Sequence, residues 1–197
     1  LKVSICFTDM NQPLGNTAGL WCEVLESVEC LKGNGPSDLM QVVYHLGKKA
    51  LEIAGIENSE EKLKSNIKNG KAIKKFEEMI IAHGGEIEML GTPQLHKPKF
   101  RKEIFAKEDG FIGEMDTLQL GQAVVQLGGG RIQKNDKIDY STGILFHKKI
   151  GDSVNKGEPL MEIFCSDSER LKMGSKKVKG AIQIRGGKTI NYPLILA

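Results

Sequence analysis

The sequence predicts an α/β protein, with a partial α/β layer of one strand and several helices followed by a β-rich domain. Residues 3–7 form a short apolar, β-branched run that is typical of a buried strand. From residue 17 to residue 82, apolar side chains recur at helical spacing. Beyond residue 98 the apolar runs become short and are separated by Gly, Asp and Asn, which is the pattern of strands and turns.

Four helices are predicted in the first half, because each apolar stripe there is followed by glycine, a common helix stop. Their ranges are 17–31, 37–54, 59–68 and 72–82. We expect Ser37 and Asp38 to cap the second helix, since both side chains accept hydrogen bonds from the first backbone N–H groups.

The second half begins after a linker, because Thr92-Pro93 and Lys97-Pro98 favour extended backbone. We therefore predict two domains, residues 1–97 and residues 98–197. Strands are expected at 104–106, 110–112, 137–140, 144–146 and 160–164. One helix, residues 117–127, is expected to start at an Asp116 cap and to stop at Gly128. A last helical stretch is predicted over residues 168–181.

Composition argues against a nucleic-acid or membrane partner. The net charge is +3 and basic residues are mixed with acidic ones, so no basic track stands out. No apolar run reaches the length of about 18 residues that a membrane span needs, and no signal sequence opens the chain. The four cysteines have neither a CxxC pair nor zinc-site spacing. Reduced thiols and a cytoplasmic location are therefore expected.

Several segments, in unbroken order from the first residues to about residue 184, carry a resemblance to a known family. They include 8–15 (TDMNQPLG), 31–36 (LKGNGP), 69–72 (NGKA), 109–112 (DGFI) and 127–131 (LGGGR). Together they resemble the second half of the pyrimidine-nucleoside and thymidine phosphorylases. The resemblance implies that the chain begins inside the α/β domain of a longer enzyme. It also implies a C-terminal domain of barrel-sandwich type, similar to lipoyl and biotinyl domains (an α/β-hammerhead).

Enzymes of that family use phosphate to cleave thymidine, uridine or deoxyuridine into the base and a (deoxy)ribose 1-phosphate, in nucleoside salvage. Their phosphate-binding and base-binding motifs lie upstream of the TDMNQPLG segment. The resemblance therefore implies no catalytic residue in this chain and no activity of the chain alone. It also implies that nucleoside and phosphate bind through an N-terminal half, and that the complete pentosyltransferase is a homodimer.

The resemblance further implies a potassium site whose ligands are the backbone carbonyls of Leu14 and Thr17 and the carboxylate of Glu26. Oxygen ligands of this kind suit a hard cation. Nine residues of straight helix would separate Thr17 from Glu26 by about 13 Å, so the site requires a helix that begins near Gly19. The alternative is a Glu26 side chain on a solvated helix face, although cysteines flank it at i−4 and i+4.

A rival function comes from a different class. The spacing Gly151-Asp152-x-Val154-x-x-Gly157-x-x-Leu160 resembles lipoyl and biotinyl carrier domains. Such a carrier needs an acceptor lysine at a hairpin tip soon afterwards, and the next lysine here is Lys172. A non-catalytic binding or carrier-like module is therefore kept as the alternative to an enzyme portion.

Two further patterns are assigned structural roles. Leu127 to Arg131 lacks the Lys-Ser/Thr pair of a phosphate loop and follows a helix, so a tight helix-to-strand turn is predicted. The histidines share no spacing with one another or with cysteine and are expected to be structural or exposed: His45, His83, His96 and His147.

Overall fold

The computed structural model describes residues 2–187 and 193–196, and this part of the chain combines helices with antiparallel sheets. The helices are α1 Trp21–Lys32, α2 Ser37–Ile53, α3 Ser59–Lys68, α4 Lys71–Ala82, α5 Thr117–Val124 and α6 Ser168–Val178. The strands are β1 Thr17–Gly19, β2 Phe100–Phe105, β3 Gly110–Met115, β4 Gly143–Phe146, β5 Ser153–Val154, β6 Pro159–Cys165 and β7 Ile182–Arg185. A 3-10 turn, Ile87–Gly91, lies in the predicted linker.

The chain divides into two compact units, and neither unit is continuous in sequence. The first, which we call the helical unit, holds Leu25–Leu95 together with Leu1–Asp9 and Pro193–Ala197. The second, which we call the sheet unit, holds Met10–Val24 and His96–Tyr192. A domain boundary at residue 98 stays a prediction.

Helices α2, α3 and α4 of the helical unit lie where apolar periodicity predicts them. The predicted cap of α2 is wrong, because Pro36 holds the cap position and Ser37 and Asp38 already belong to the first turn. The Asp38 carboxylate instead accepts a hydrogen bond from the N–H of Leu39 at 2.8 Å.

The predicted buried strand at residues 3–7 is also wrong. In the described part of the chain these residues form no strand, and Val3 and Ile5 are 77% and 71% exposed. An isolated antiparallel bridge joins Thr8 to Ile195, and the N–H of Leu196 donates to the Phe7 carbonyl at 2.8 Å. An apolar run becomes a buried strand only where neighbouring strands cover it, and the described residues provide only this bridge.

Two antiparallel sheets build the sheet unit, in the strand orders β1-β4-β6-β2 and β5-β3-β7. The predicted strands at 104–106, 110–112, 144–146 and 160–164 overlap β2, β3, β4 and β6, and most of these strands are longer than predicted. The predicted strand at 137–140 is wrong, because residues 137–139 are irregular and lead into a turn closed by the Thr142 N–H and the Asp139 carbonyl. The core between strands and helices contains fully buried side chains from β3, β4, β6, α5 and the turn after α5: Ile112, Leu120, Leu127, Ile144, Met161 and Ile163.

Helices α5 and α6 cover this core, and each starts at an aspartate. The Asp116 carboxylate accepts from the N–H of Gln119 at 2.8 Å, which confirms the predicted cap. A π turn, Val125–Gly129, extends α5, and Gly128 (φ 113°) ends it as predicted. Helix α6 is shorter than predicted, because the chain leaves it to form β7 beside β3.

Within the described residues, no helix has the length and apolar character needed to cross a membrane.

Candidate functional site

The predicted first helix does not begin at Thr17. Residues Thr17 to Gly19 instead form β1, which pairs with β4 in the register Thr17↔Leu145 and Gly19↔Gly143. Helix α1 begins at Trp21, and the Glu23 carboxylate accepts from the N–H of Gly19 at 2.6 Å across the junction. The prediction of a helix over residues 17–31 is therefore wrong at its start. The objection to the cation site, nine residues of helix between Thr17 and Glu26, no longer holds.

The backbone of Thr17 faces the outer edge of its sheet. The Asn16 carbonyl accepts from the N–H of Phe146 at 2.8 Å, and the N–H of Leu20 donates to the Thr142 carbonyl at 3.3 Å. Ladder bonds alternate along an antiparallel strand, so the intervening Thr17 directs its carbonyl away from β4. Because β1 is the edge strand, that carbonyl points off the sheet.

The loop that carries Leu14 is tied to the sheet unit at several points. The Thr117 hydroxyl donates to the Met10 carbonyl at 3.2 Å, and the Gln12 side-chain oxygen accepts from the N–H of Ile150 at 3.0 Å. The Lys149 ammonium donates to two further backbone carbonyls, those of Pro13 and Gly15. We call residues 12–16 the anchored loop. Its side chains and carbonyls make structural hydrogen bonds rather than an anion cradle.

Glu26 lies on α1 and is partly buried, and the alternative of a side chain on a solvated helix face stays open. Burial raises the pKa of the Cys30 thiol, and the negative charge of Glu26 one helical turn earlier raises it further. Leu14 and Thr17 belong to the sheet unit, and Glu26 belongs to the helical unit. Carbonyls and a carboxylate are the kinds of donor that a hard monovalent cation takes, but neither unit by itself contains all three predicted ligands.

A second polar cluster surrounds Asp139 in the turn that replaces the predicted strand. Its carboxylate accepts from the N–H and hydroxyl of Ser141 at 3.0 and 2.6 Å, and from the N–H of Ser166 at 2.6 Å. Burial alone would raise the pKa of Asp139, but the bonds from Ser141 and Ser166 outweigh it and the pKa is lowered. The buried Thr142 hydroxyl donates to the Leu127 carbonyl at 3.1 Å. These bonds join the turn to Leu127, which follows α5, and to Ser166, which follows β6.

Comparison with known proteins identifies the family. Residues 111–185 match the model described as the pyrimidine nucleoside phosphorylase C-terminal domain. The chain is 37% identical over 164 residues to the pyrimidine-nucleoside phosphorylase of Bacillus subtilis (strain 168), covering 81% of this chain and 38% of that protein. It is 34% identical over 188 residues to the pyrimidine-nucleoside phosphorylase of Geobacillus stearothermophilus, covering 93% of this chain and 43% of that protein.

The chain belongs to the pyrimidine-nucleoside phosphorylase family. It corresponds to the C-terminal portion, and it spans about two fifths of the length of the curated relatives it matches, as with the 39% covered of the Staphylococcus epidermidis pyrimidine-nucleoside phosphorylase. The resemblance read from the TDMNQPLG, LKGNGP and LGGGR segments is thereby confirmed.

Other candidate residues in this phosphorylase portion have structural surroundings. Lys172 lies inside α6 and pairs with Glu169 at 2.7 Å, so it is not at the hairpin tip that a carrier lysine needs. His96 packs against Trp21 and Tyr140, with ring centres 5.3 and 5.4 Å apart. No group of three or more His, Cys, Asp or Glu side chains in the described ranges is placed to hold a metal ion.

Lys149 is the site residue that sequence reasoning did not find. It lies 134 positions from Gly15 and 136 from Pro13, and no spacing rule connects a lysine to carbonyls at that separation. Only the pairing of β1 with β4 brings the loop and the turn after β4 together.

Proposed function

We propose that this chain is the C-terminal portion of an enzyme that cleaves pyrimidine nucleosides with phosphate. The proposed substrates are thymidine, uridine or deoxyuridine, and the products are the base and a (deoxy)ribose 1-phosphate. The observation that carries the proposal is the alignment of 81–93% of the chain with proteins named pyrimidine-nucleoside phosphorylase. Such a pentosyltransferase would act in nucleoside salvage.

The chain alone is proposed to be inactive. Phosphorolysis needs a phosphate dianion held by several donors opposite a developing oxocarbenium charge. At the anchored loop, the side chain of Gln12 is instead bonded to the Ile150 N–H, and the ammonium of Lys149 is bonded to the loop's carbonyls. We assign no catalytic residue here, and we propose that nucleoside and phosphate bind through an N-terminal half in a homodimer.

Potassium is the proposed cofactor, held by the carbonyls of Leu14 and Thr17 and the carboxylate of Glu26. A bound cation would add a fixed positive charge beside the phosphate. The outward direction of the Thr17 carbonyl and the partial burial of Glu26 support this assignment.

A barrel-sandwich fold of lipoyl type is proposed for the sheet unit, supported by its two antiparallel sheets. Four cysteines without disulfides support a cytoplasmic location.

The test is phosphate-dependent release of thymine from thymidine and uracil from uridine. The chain is assayed by itself and after addition of an N-terminal phosphorylase half, with and without inorganic phosphate. We expect base release only from the combined halves and only with phosphate. If the combined halves bind one another but release no base, the enzyme proposal is wrong. A mass increase from lipoyl or biotinyl attachment would instead support the carrier-like alternative.

A further inference from the structure

We propose that Lys149 is a positioning residue, whose ammonium holds the anchored loop so that Leu14 presents its carbonyl to the proposed cation. The inference rests on the cation site of the proposed function. It assigns a role to a side chain that is itself no cation ligand.

The ammonium contacts the backbone on both sides of Leu14. It donates to the carbonyl of Pro13 and to the carbonyl of Gly15, and it lies 5.9 Å from the centre of the Phe146 ring. A lysine ammonium has three donors, so one side chain can satisfy both carbonyls. Charge-assisted bonds of this kind are stronger than bonds between neutral groups. The carbonyls of Pro13 and Gly15 both accept from the Lys149 ammonium. We infer that the carbonyl of Leu14, which lies between them in sequence, points away from that ammonium.

The turn that carries Lys149 is itself fixed. The N–H of Lys149 donates to the Asp152 carboxylate at 2.7 Å, and the N–H of Gly151 donates to the carbonyl of Ile112 at 2.9 Å. Ile112 has an exposed fraction of 0% and lies in the centre of the core. Gly151 adopts φ 93°, which is accessible mainly to glycine. The turn that carries the ammonium is therefore bonded to a fully buried residue of β3.

The remaining loop residues leave Leu14 little freedom. Gln12 is bonded to Ile150 and Asn16 is bonded to Phe146, so the loop is fixed on both flanks. Gly15 is buried and adopts φ 75°, a conformation that determines the direction of the chain after Leu14. With the flanks fixed, loss of the ammonium would release the two central carbonyls while the rest of the loop stays bonded.

Hydrogen exchange tests the positioning directly. Wild type, Lys149→Met and the matched control Lys148→Met are compared in choline chloride, without potassium. Lys148 is the adjacent lysine, and it bonds the Ser153 carbonyl at 3.3 Å and pairs with Glu158. We expect the amides of residues 14–17 to exchange about 10-fold faster or more in Lys149→Met only. Equal exchange in wild type and Lys149→Met would overturn the proposal.

A potassium titration separates positioning from a general structural role. Thermal unfolding and phosphorolysis of the combined halves are followed against KCl at constant ionic strength. In Lys149→Met we expect the potassium midpoint to rise about 10-fold while the plateau at saturating potassium is kept. Lys149→Arg should restore the midpoint to within about 3-fold, because it keeps the cationic donors.

The two proposals fail in different ways. A lowered plateau with an unchanged midpoint would show that Lys149 is structural only and would overturn the positioning role. A wild-type pair that is active but indifferent to potassium would overturn the cation site, and with it the role of Lys149 towards that cation. A pair without activity that still shows the midpoint shift in thermal unfolding would support the positioning role and contradict the proposed reaction.

Discussion

Replacement of Gly174 by alanine is expected to destabilise the sheet unit, although alanine is the better helix former. Gly174 is buried within α6. An added Cβ would lie 2.5 Å from Cδ2 and 2.6 Å from Cγ of Leu127. Carbon atoms in contact lie about 3.5–4.0 Å apart, so Leu127 would have to move by about 1 Å. Leu127 has an exposed fraction of 0%, which leaves it no space.

The magnitude follows from two opposing terms. Overpacking a well-packed core costs about 1–3 kcal/mol, whereas glycine to alanine in a helix gains about 1 kcal/mol. We therefore expect Gly174→Ala to lower the free energy of unfolding by about 0–2 kcal/mol. Gly121, in α5, is the matched control, because nothing lies within 4 Å of its added Cβ. Gly121→Ala should gain about 1 kcal/mol, so the two variants should differ by about 1–3 kcal/mol.

Urea unfolding measures this difference. The chain has one tryptophan, Trp21, and it lies in the sheet unit, so fluorescence follows that unit while circular dichroism follows both. In a Leu127→Ala background the overlap disappears, and Gly174→Ala should become neutral or stabilising. The steric reasoning is refuted if Gly174→Ala is as stable as Gly121→Ala, or if it still destabilises the chain in that background.

Three further outcomes are expected from other parts of the sheet unit. Asp139→Asn should cost about 1–3 kcal/mol, because the Ser141 and Ser166 donors lose a charged acceptor. Folding lowers the pKa of Asp139, so its carboxylate stabilises the fold above the ordinary pKa of an aspartate. That stabilisation is lost as pH falls through the pKa of the folded state. Asp139→Asn should therefore show a weaker fall in stability than wild type during acid titration below about pH 4. Burial, and then the charge of Glu23, raise the pKa of Cys22 to about 11. Alkylation of Cys22 at pH 8, followed by peptide mass spectrometry, should be at least about 100-fold slower than that of a free thiol, and a comparable rate would contradict the burial. Gly143→Ala should cost about 1–3 kcal/mol in urea, because its Cβ would lie 2.6 Å from the Cys22 sulfur, and a neutral effect would show that this sulfur moves freely.

Local patterns predicted the helices well, as α3 and the cap of α5 show. A helix bonds residues four apart, so the glycine stop after residue 68 and the aspartate at position 116 contain most of the necessary information. Residues 17–19 show the limit of this reasoning. The predicted first helix included them, but pairing with β4 makes them a strand. Segment 137–140 is the opposite case, since its side chains suit a strand, but the bonds of Asp139 hold an irregular segment that leads into a turn.

The candidate site shows the same division. Leu14, Thr17 and Glu26 could be proposed as ligands from sequence, because the TDMNQPLG segment and its flanks resemble a family. Lys149 could not be predicted from sequence, because its contact with Pro13 and Gly15 exists only after strands distant in sequence have paired. The Asp139 cluster likewise joins a turn to Ser166 across 27 positions.

The sequence by itself determined the family, the helices of the helical unit, the strand-rich character of the second half and the three candidate ligands. These depend on short-range spacing and on residue order, which a linear chain displays directly. The tertiary structure alone decided that α1 starts after a strand, that the Thr17 carbonyl faces the sheet edge, and that an ammonium holds the loop around Leu14. These depend on pairing and packing between distant segments, because a hydrogen bond across a sheet is set by the partner strand and not by neighbours in sequence.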